Sequence, residues 1–469
     1  MALNLRGLRA VVLGFGRSGR AAARLLAVSG AEVTVSERRR LEELPPGDVY
    51  ALSERGLRFE TGGHRRNTLL SADLIVVSPG IPPEVYQEAE QRGIPVIGEL
   101  ELAYQALKRK DNLVAVTGTN GKTTTTAMIS DLLKLSGFKV FTGGNFGIPL
   151  SEYVLSGEPA DRVVLEVSSF QLETIRTFKP RVGVILNLTP DHLERYRDLR
   201  AYARAKLRLL ENLGPEEGAI LPHPELPGAG GEILLREIPE TRADLLFFGS
   251  LPGLSVEVRE GDFVLRLEEG EENYSFAGFR LLGRHNRLNF AVAALAGRLC
   301  GAGPEAVRKT LTACVGFPHR MEFLGSFGGV YFVNDSKATN VDATLKALEG
   351  LSPPIVLIAG GLHKGASYRV LYEPIREKVR VLILMGASRF IMAEELSGAT
   401  ETLVVEGLAE ALAMALKVAR PGDTVLLSPA AASFDQFENY EERGEVFREL
   451  VLTYAPKVLS PKEGPEVYH

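Results

Sequence analysis

Short apolar runs that end at a glycine and open into helical periodicity recur along this chain, which is the pattern of parallel α/β sheets. The first unit predicts a strand over residues 9–13, glycines at Gly14, Gly16 and Gly19, an amphipathic helix stopping at Gly30, and a strand over 32–35. A strand over 73–77 follows and ends in Ser78-Pro79-Gly80. A new unit opens with a strand over 113–116 and a helix stopping at Gly137, so a second domain is expected from about residue 102, with the connection inside 101–111. Further strands are predicted over 163–167 and 182–187, then a helical stretch that contains Lys206. Residues 244–276 switch to short alternating runs with a hairpin-type turn at Gly261-Asp262, read as a small antiparallel excursion inside the domain.

A helix over 288–300 closes this block, and Gly316-Phe317-Pro318 marks the next boundary. The last block repeats the parallel pattern, with strands over 330–333, 355–358, 381–384 and 424–427, a helix over 440–452 and a frayed tail over 457–469. At 469 residues the chain is too long for one core, since cores stop growing near ~250–300 residues. The expected fold is α/β in three domains: a Rossmann-like N-terminal domain (1–101), a central P-loop ATPase with a mixed sheet (102–315) and a Rossmann-like C-terminal domain (316–469).

Charge narrows the partners, because a net charge of -5 offers no basic footprint for nucleic acid. Arg6 and Arg9 interrupt the start and no apolar run approaches the ~18 residues that span a bilayer, so a cytoplasmic protein with no membrane partner is expected. Cys300 and Cys314 lie in apolar helix-like segments, which suits buried reduced thiols. Histidine is scarce, and His192, His285 and His319 each sit in a dense polar cluster.

The strongest local signal runs from Thr117 through Gly118, Thr119, Asn120, Gly121, Lys122, Thr123 and Thr124, between a predicted strand and a predicted helix. Glycines let backbone N–H groups turn around an anion, the helix start adds its dipole, Lys122 brings positive charge and Thr123 a hydroxyl for magnesium. Gly118 stands three residues before Gly121 where the ordinary loop has five, which argues against a GTPase or motor. Glu166 interrupts an apolar run that reads as a strand buried on both faces, which favours a ligand or catalytic role. His192 follows the next strand, while Lys206, taken alone, reads as a solvated helix charge. Asp335, Lys337 and Thr339 lie where a strand leads into a helix, read as an anion site at a helix start. Gly14, Gly16 and Gly19, with Glu37 near the place of a ribose-binding acid, suit a dinucleotide or a nucleotide sugar equally well. An NAD-dependent oxidoreductase or a nonenzymatic nucleotide sensor would share these ends, but neither explains the second phosphate loop.

Taken together, TGTNGKTTT, EVSSFQL, NLTPDHLERY, the AKLR helix, GRHNRLN, FPHRMEF and NDSKATN resemble the Mur ligase family, in this order and over essentially the whole chain. The resemblance implies an ATP-dependent ligase that activates a carboxylate as an acyl phosphate and joins it to an amino acid. The DSKATN, SSFQL and LLSPAAASFDQFENYEERG segments point within the family to UDP-N-acetylmuramoyl-L-alanine and D-glutamate as substrates, in peptidoglycan precursor synthesis. By motif, Gly118 to Thr124 would hold ATP phosphates, Asn286 and Asn289 would lie near adenine, and Arg320, Asp335 and Lys337 would close over the nucleotide. Thr123, Glu166, His192 and a carbamylated Lys206 would serve two magnesium ions, with Lys122 and Lys337 completing the catalytic set. Phe15, Gly16, Arg38 and Ser78 would take the uridine end, Asn145 another part of that substrate, and Thr339, Lys364, Ser433 and Tyr440 the amino acid. A folylpolyglutamate-type ligase would share the central loop and the carbamate without needing the N-terminal domain. A monomer is expected.

Overall fold

The computed structural model describes residues 5–192, 195–279, 281, 283–313 and 318–459. Cys314, the boundary at 315/316 and most of the expected tail therefore lie outside the described residues. The chain divides into two compact units, the first formed by Met1–Thr189, Glu194–Ala277 and Asn289–Leu311, the second by Pro190–Leu193, Gly278–Leu288 and Thr312–His469.

The first unit holds two sheets. Strands β1 (Arg9–Leu13), β2 (Glu32–Ser36), β3 (Arg58–Glu60), β4 (Leu74–Val77) and β5 (Val96–Gly98) form a parallel sheet in the order β3-β2-β1-β4-β5. The order reverses between β1 and β4, so the loops after Leu13 and Val77 open a crevice where doubly wound sheets bind ligands. Strands β6 (Leu113–Thr117), β7 (Val140–Gly144), β8 (Arg162–Glu166), β9 (Val182–Ile185), β10 (Gly218–Pro222), β11 (Asp244–Gly249), β12 (Val256–Val258), β13 (Asp262–Leu267) and β14 (Gly270–Ser275) build the second sheet. Its order is β14-β13-β12-β11-β10-β9-β6-β8-β7, which puts β6 inside and pairs it in parallel with β8 and β9. Residues 244–276 are thus not a separate excursion: β11 and β12 continue the parallel ladder, and only β13 and β14 run antiparallel on its flank.

A second correction concerns the expected connection over 101–111, whose first half is buried helix (Glu99–Ala106). Glu101 is fully buried, and its carboxylate accepts from the backbone N–H groups of Arg176, Thr177 and Phe178, each at 2.9 Å, and from Thr177 Oγ1 at 2.6 Å. Two residues earlier, buried Glu99 accepts from Ser151 N at 2.6 Å, and its carboxyl is pushed up by burial. Arg24 adds an outer tie by reaching both Asp48 and Glu152. These contacts lock the N-terminal sheet to the central one. Cys300 is a free buried thiol, pushed up to about 12 by burial, which leaves it unreactive.

The second unit is a six-stranded sheet of β15 (Glu322–Phe327), β16 (Val330–Asn334), β17 (Ile355–Gly360), β18 (Val379–Met385), β19 (Glu401–Val404) and β20 (Thr424–Leu427), in the order β15-β16-β20-β17-β18-β19. All neighbours are parallel except β15 and β16. Apolar side chains fill both faces, with Leu357, Leu382 and Tyr368 on one and Val356, Ile383 and Phe447 on the other. The helix Tyr440–Leu459 is pinned by Arg443, which is 1% exposed and donates to the Ser336 hydroxyl and carbonyl and to the Ala431 carbonyl. Burial pulls that guanidinium down to about 10.

Glu101→Ala is expected to lower stability by about 2–4 kcal/mol, because four donors lose a charged acceptor in a dry place. The urea midpoint, read at unchanged slope, checks it.

Candidate active site

The phosphate-type loop leaves the carboxyl end of β6 and enters the helix Lys122–Leu135. Gly118 and Gly121 have φ of +148° and +85°, a region that favours glycine. A Cβ on Gly121 would also meet Asn289 Oδ1 at 2.8 Å, so glycine there admits the asparagine against the loop. Asn187, just past β9, shapes the turn: its Oδ1 accepts from Thr119 N at 3.1 Å and Asn120 N at 2.9 Å, and its Nδ2 donates to Asn120 O at 3.0 Å. The Thr119 hydroxyl donates to Thr189 O at 3.2 Å and accepts from Thr189 N at 3.1 Å. Asn187 and Thr189 stand in the motif NLTPDHLERY, which by itself assigns them no role of their own. An amide side chain directly after an apolar strand was the available signal.

Two lysines converge on the loop. Lys122 Nζ donates to the carbonyls of Gly118 at 2.9 Å and Thr119 at 2.7 Å, and Lys206 Nζ donates to the same Gly118 carbonyl at 2.8 Å. Lys206 sits on the helix Leu199–Leu207 and is 1% exposed, which overturns the reading of a solvated surface charge. Its ammonium stands 4.2 Å from the Tyr202 ring centroid. Buried Glu166, at the end of β8, accepts from Thr123 Oγ1 at 2.7 Å and Asn145 Nδ2 at 3.0 Å. A Cβ on Gly144 would fall 2.4 Å from the Glu166 carbonyl, so the glycine lets Asn145 lie along the strand end. Asn145 is also tied to the N-terminal sheet, because its carbonyl accepts from Arg17 at 2.8 Å. Among the described residues no group of three or more His, Cys, Asp or Glu forms a metal cage. One carboxylate and one hydroxyl beside a phosphate loop are nevertheless the hard oxygen donors magnesium takes when substrate phosphates complete its shell.

In the N-terminal crevice the Phe15 N–H donates to Glu37 Oε2 at 2.7 Å, and Arg39 meets the same carboxylate at 3.1 Å. Burial opposes the charge, but these donors win and hold the Glu37 carboxyl down at about 2. Phe15 is buried edge-on against Phe59, the Ser78 hydroxyl donates to Gly14 O at 3.2 Å, and Gly16 and Arg38 are exposed. Glu37, expected near a ribose, is engaged by its own loop.

In the second unit His192 has φ of +54°, donates its N–H to Asp191 Oδ1 at 3.0 Å and keeps Nε2 3.8 Å from Asp191 Oδ2. Asn286, of the second unit, and Asn289, of the first, are both buried on the helix Arg284–Leu299. His285 beside them is driven down to about 4 by burial and by the charges of Arg320 and Lys346. The segment after β16 does open a helix, through Asn340, which caps Val341–Gly350, but Asp335 and Lys337 stand several residues before that start. Asp335 instead turns inward, accepting from Met321 N at 3.1 Å and Ser428 Oγ at 2.9 Å, and Lys337 donates to the Tyr440 hydroxyl. Thr339 is partly buried, and its N–H donates to Lys337 O at 2.8 Å. Leu362 and Ala432 exchange backbone bonds, which brings together the loops of exposed Lys364 and buried Ser433.

Three family models match this chain: the Mur ligase MurD-like N-terminal domain over residues 8–98, the Mur ligase middle domain over 116–297, and the Mur ligase glutamate ligase domain over 319–431. The chain is 42% identical over 455 residues to the UDP-N-acetylmuramoylalanine--D-glutamate ligase of Geotalea uraniireducens, covering 96% of this chain and 98% of the relative. With the enzyme of the same name from Anaeromyxobacter dehalogenans the identity is 43% over 467 residues, covering 96% and 99%. Among solved structures, MurF ligase from Thermotoga maritima in complex with ADP is similar in fold, with a TM-score of 0.60 at 17% identity over 95% of this chain and 96% of that one. A pseudomurein peptide ligase type C from Methanothermus fervidus gives a TM-score of 0.59 at 21% identity, covering 95% and 99%.

Burial pushes the Asp335 carboxyl up to about 7, against the pull of its donors from Ser428 and Met321. An unfolded aspartate titrates near ~3.9, so as pH rises the unfolded chain loses this proton first. The stability contributed by Asp335 is full below that value and declines as pH climbs towards 7. Asp335→Asn is expected to gain melting temperature relative to the parent between pH 5 and 7.5. A melting difference that stays constant over pH 4–8 would speak against this titration.

Proposed function

The chain belongs to the Mur ligase family, and from that premise we infer that it joins D-glutamate to UDP-N-acetylmuramoyl-L-alanine with ATP, releasing ADP and phosphate, in peptidoglycan precursor synthesis. The observation that carries this reading is the hydroxyl–carboxylate bond of Thr123 to Glu166 at the rim of a glycine loop whose Gly118 carbonyl gathers Lys122 and Lys206. Hard oxygen donors and cations at one strand end are what transfer of a phosphoryl group to a carboxylate needs.

In the first step a carboxylate oxygen of UDP-N-acetylmuramoyl-L-alanine bonds to the γ-phosphorus, and the bond to the β-phosphate oxygen breaks, leaving ADP. The amine of D-glutamate then attacks the acyl carbon, the C–N bond forms, phosphate leaves and the amine gives up a proton. Both reactants of the first step are anions, so repulsion dominates the barrier. Thr123 and Glu166, with His192 and a carbamylated Lys206, would hold magnesium, which would supply positive charge against that repulsion. The loop from Gly118 to Thr124 meets the phosphates through the N–H groups that Asn187 does not hold, and the Lys122 ammonium exchanges loop carbonyls for phosphate oxygens. A carbamate on Lys206 turns a donor into an acceptor with two oxygens, which is how a lysine joins a cation site.

Asn286, Asn289, Arg320 and Asp335 are assigned to the nucleotide, and Lys337 to the charge of the tetrahedral intermediate. Phe15, Gly16, Arg38, Ser78 and Asn145 are assigned to the UDP-linked substrate. Thr339, Lys364, Ser433 and Tyr440 are assigned to D-glutamate. The work divides among domains 1–101, 102–315 and 316–469, in a cytoplasmic monomer. No helix of the described residues is long and apolar enough to cross a membrane.

Phosphate release from magnesium-ATP and UDP-N-acetylmuramoyl-L-alanine is expected with D-glutamate and not with L-glutamate, L-lysine, diaminopimelate or D-alanyl-D-alanine. Release with another acceptor would move the specificity, and none with any acceptor would overturn the reading. Lys122→Ala is expected to lower turnover at least ~100-fold, the scale of losing a positioned charge at a transferring phosphoryl group. Lys206→Ala is expected to lose activity severely and regain part of it with added acetate or formate. Full activity without them would remove the carbamate.

A further inference from the structure

Arg195 and Tyr196 belong to none of the groups assigned above, yet they join the N-terminal crevice to the phosphate loop. The Arg195 side chain is 16% exposed, and its guanidinium donates to the Ile81 carbonyl at 3.2 Å and to Glu173 Oε2 at 2.5 Å. Ile81 lies in the loop that leaves β4 and carries Ser78, and its own N–H donates to the Ser78 carbonyl at 3.0 Å. Glu173 caps the short helix Ser169–Leu172, which follows Glu166 at the end of β8. The guanidinium also lies 5.6 Å from the Phe170 ring centroid. The next residue continues the path, because Tyr196 stacks on Phe170 at 5.9 Å and 16° and meets Tyr202 at 5.0 Å and 36°. Tyr202 carries the Lys206 ammonium 4.2 Å from its centroid, and Lys206 holds the Gly118 carbonyl at 2.8 Å. Every link is a close contact within the first unit.

We propose that Arg195 is a positioning residue that couples occupancy of the nucleotide-sugar crevice to the placement of Lys206 on the phosphate loop. It rests on the reading of that crevice as the UDP-substrate site. A ligand that settles on the Ser78–Ile81 loop draws the Ile81 carbonyl, and the guanidinium follows it while staying on Glu173, because a part-buried carboxylate left without its cation is costly. Tyr196 is covalently next to Arg195, so movement of the arginine tilts the ring on which Tyr202 and then the Lys206 side chain rest. Packed rings transmit such a shift because the core between them is dense and holds discrete arrangements. The nucleotide sugar and the ATP phosphates would then bind better together than apart, with a coupling that is the same whichever ligand comes first.

The test is calorimetry on the full chain. UDP-N-acetylmuramoyl-L-alanine and magnesium with a non-hydrolysable ATP analogue are each titrated alone and in the presence of the other. In the parent protein each ligand is expected to tighten the other by at least ~5-fold, the low end of ordinary coupling between sites. In Arg195→Ala the coupling is expected to fall below ~2-fold while both ligands still bind singly. Arg195→Lys should restore part of it, and Tyr196→Leu, which breaks the ring path and leaves the arginine in place, should lose it. A parent protein that binds both ligands without coupling overturns the proposal. So does Arg195→Ala with coupling intact and only a lower melting temperature, since that marks the arginine as a strut. If Arg195→Ala does not fold, Tyr196→Leu decides in the same two directions. Failure of the parent to bind UDP-N-acetylmuramoyl-L-alanine at all would instead refute the substrate reading itself.

Discussion

Two ammonium groups share one carbonyl oxygen, and the rest of the catalytic architecture depends on that arrangement. The Gly118 carbonyl takes Lys122 from the helix that follows it and Lys206 from a helix some ninety residues on. The Lys122 charge, next to backbone N–H groups at a helix start, sets up a preference for an anion. The carbonyl can be shared because β6 lies inside the sheet with β8 and β9 on either side, so neighbouring strand ends deliver Glu166 and Asn187 to the same rim. The glycine loop is short, and Asn187 supplies from outside the hydrogen bonds that hold its turn.

The second constraint is the union of the N-terminal and central sheets. Ordinary domain pairs meet through modest polar surfaces and move. Here a buried carboxylate, Glu101, accepts four bonds from residues 176 to 178, Glu99 holds Ser151, and Arg17 reaches the Asn145 carbonyl. A joint of this kind keeps the N-terminal crevice at a set distance from the phosphate-type loop, as the reaction between two bound substrates proposed above requires. The second compact unit has a sheet with its own two cores and its own buried polar ties at Asp335 and Arg443.

Legibility in the sequence followed the length and the company of each signal. Long apolar strands such as β17 and β18 were readable because both faces are covered and nearly every position is apolar. The three-residue strands β3 and β5 and the flanking strands β15 and β19 were not, since short or half-exposed segments carry little pattern. β12 to β14 were recognised as alternating but placed apart from the main sheet, because alternation describes a strand's two faces and says nothing of its neighbours. Glu101 looked like part of a polar connection. Its burial depends on three backbone N–H groups seventy-five residues away, and no local pattern announces that.

By itself the sequence determined the kind of chemistry: a glycine-lysine-threonine loop between strand and helix, a carboxylate in an apolar strand and a series of motifs shared with the Mur ligases can be read in order because each is local. Tertiary structure alone decided which residues of different segments meet. Lys206 joins the loop because its side chain reaches the Gly118 carbonyl, Asn187 because β9 lies next to β6, and Arg195 because the β4 loop and the turn after β8 come within reach of one guanidinium. Charge and hydrogen bonding act over a few ångströms of space, whereas sequence records only distance along the chain.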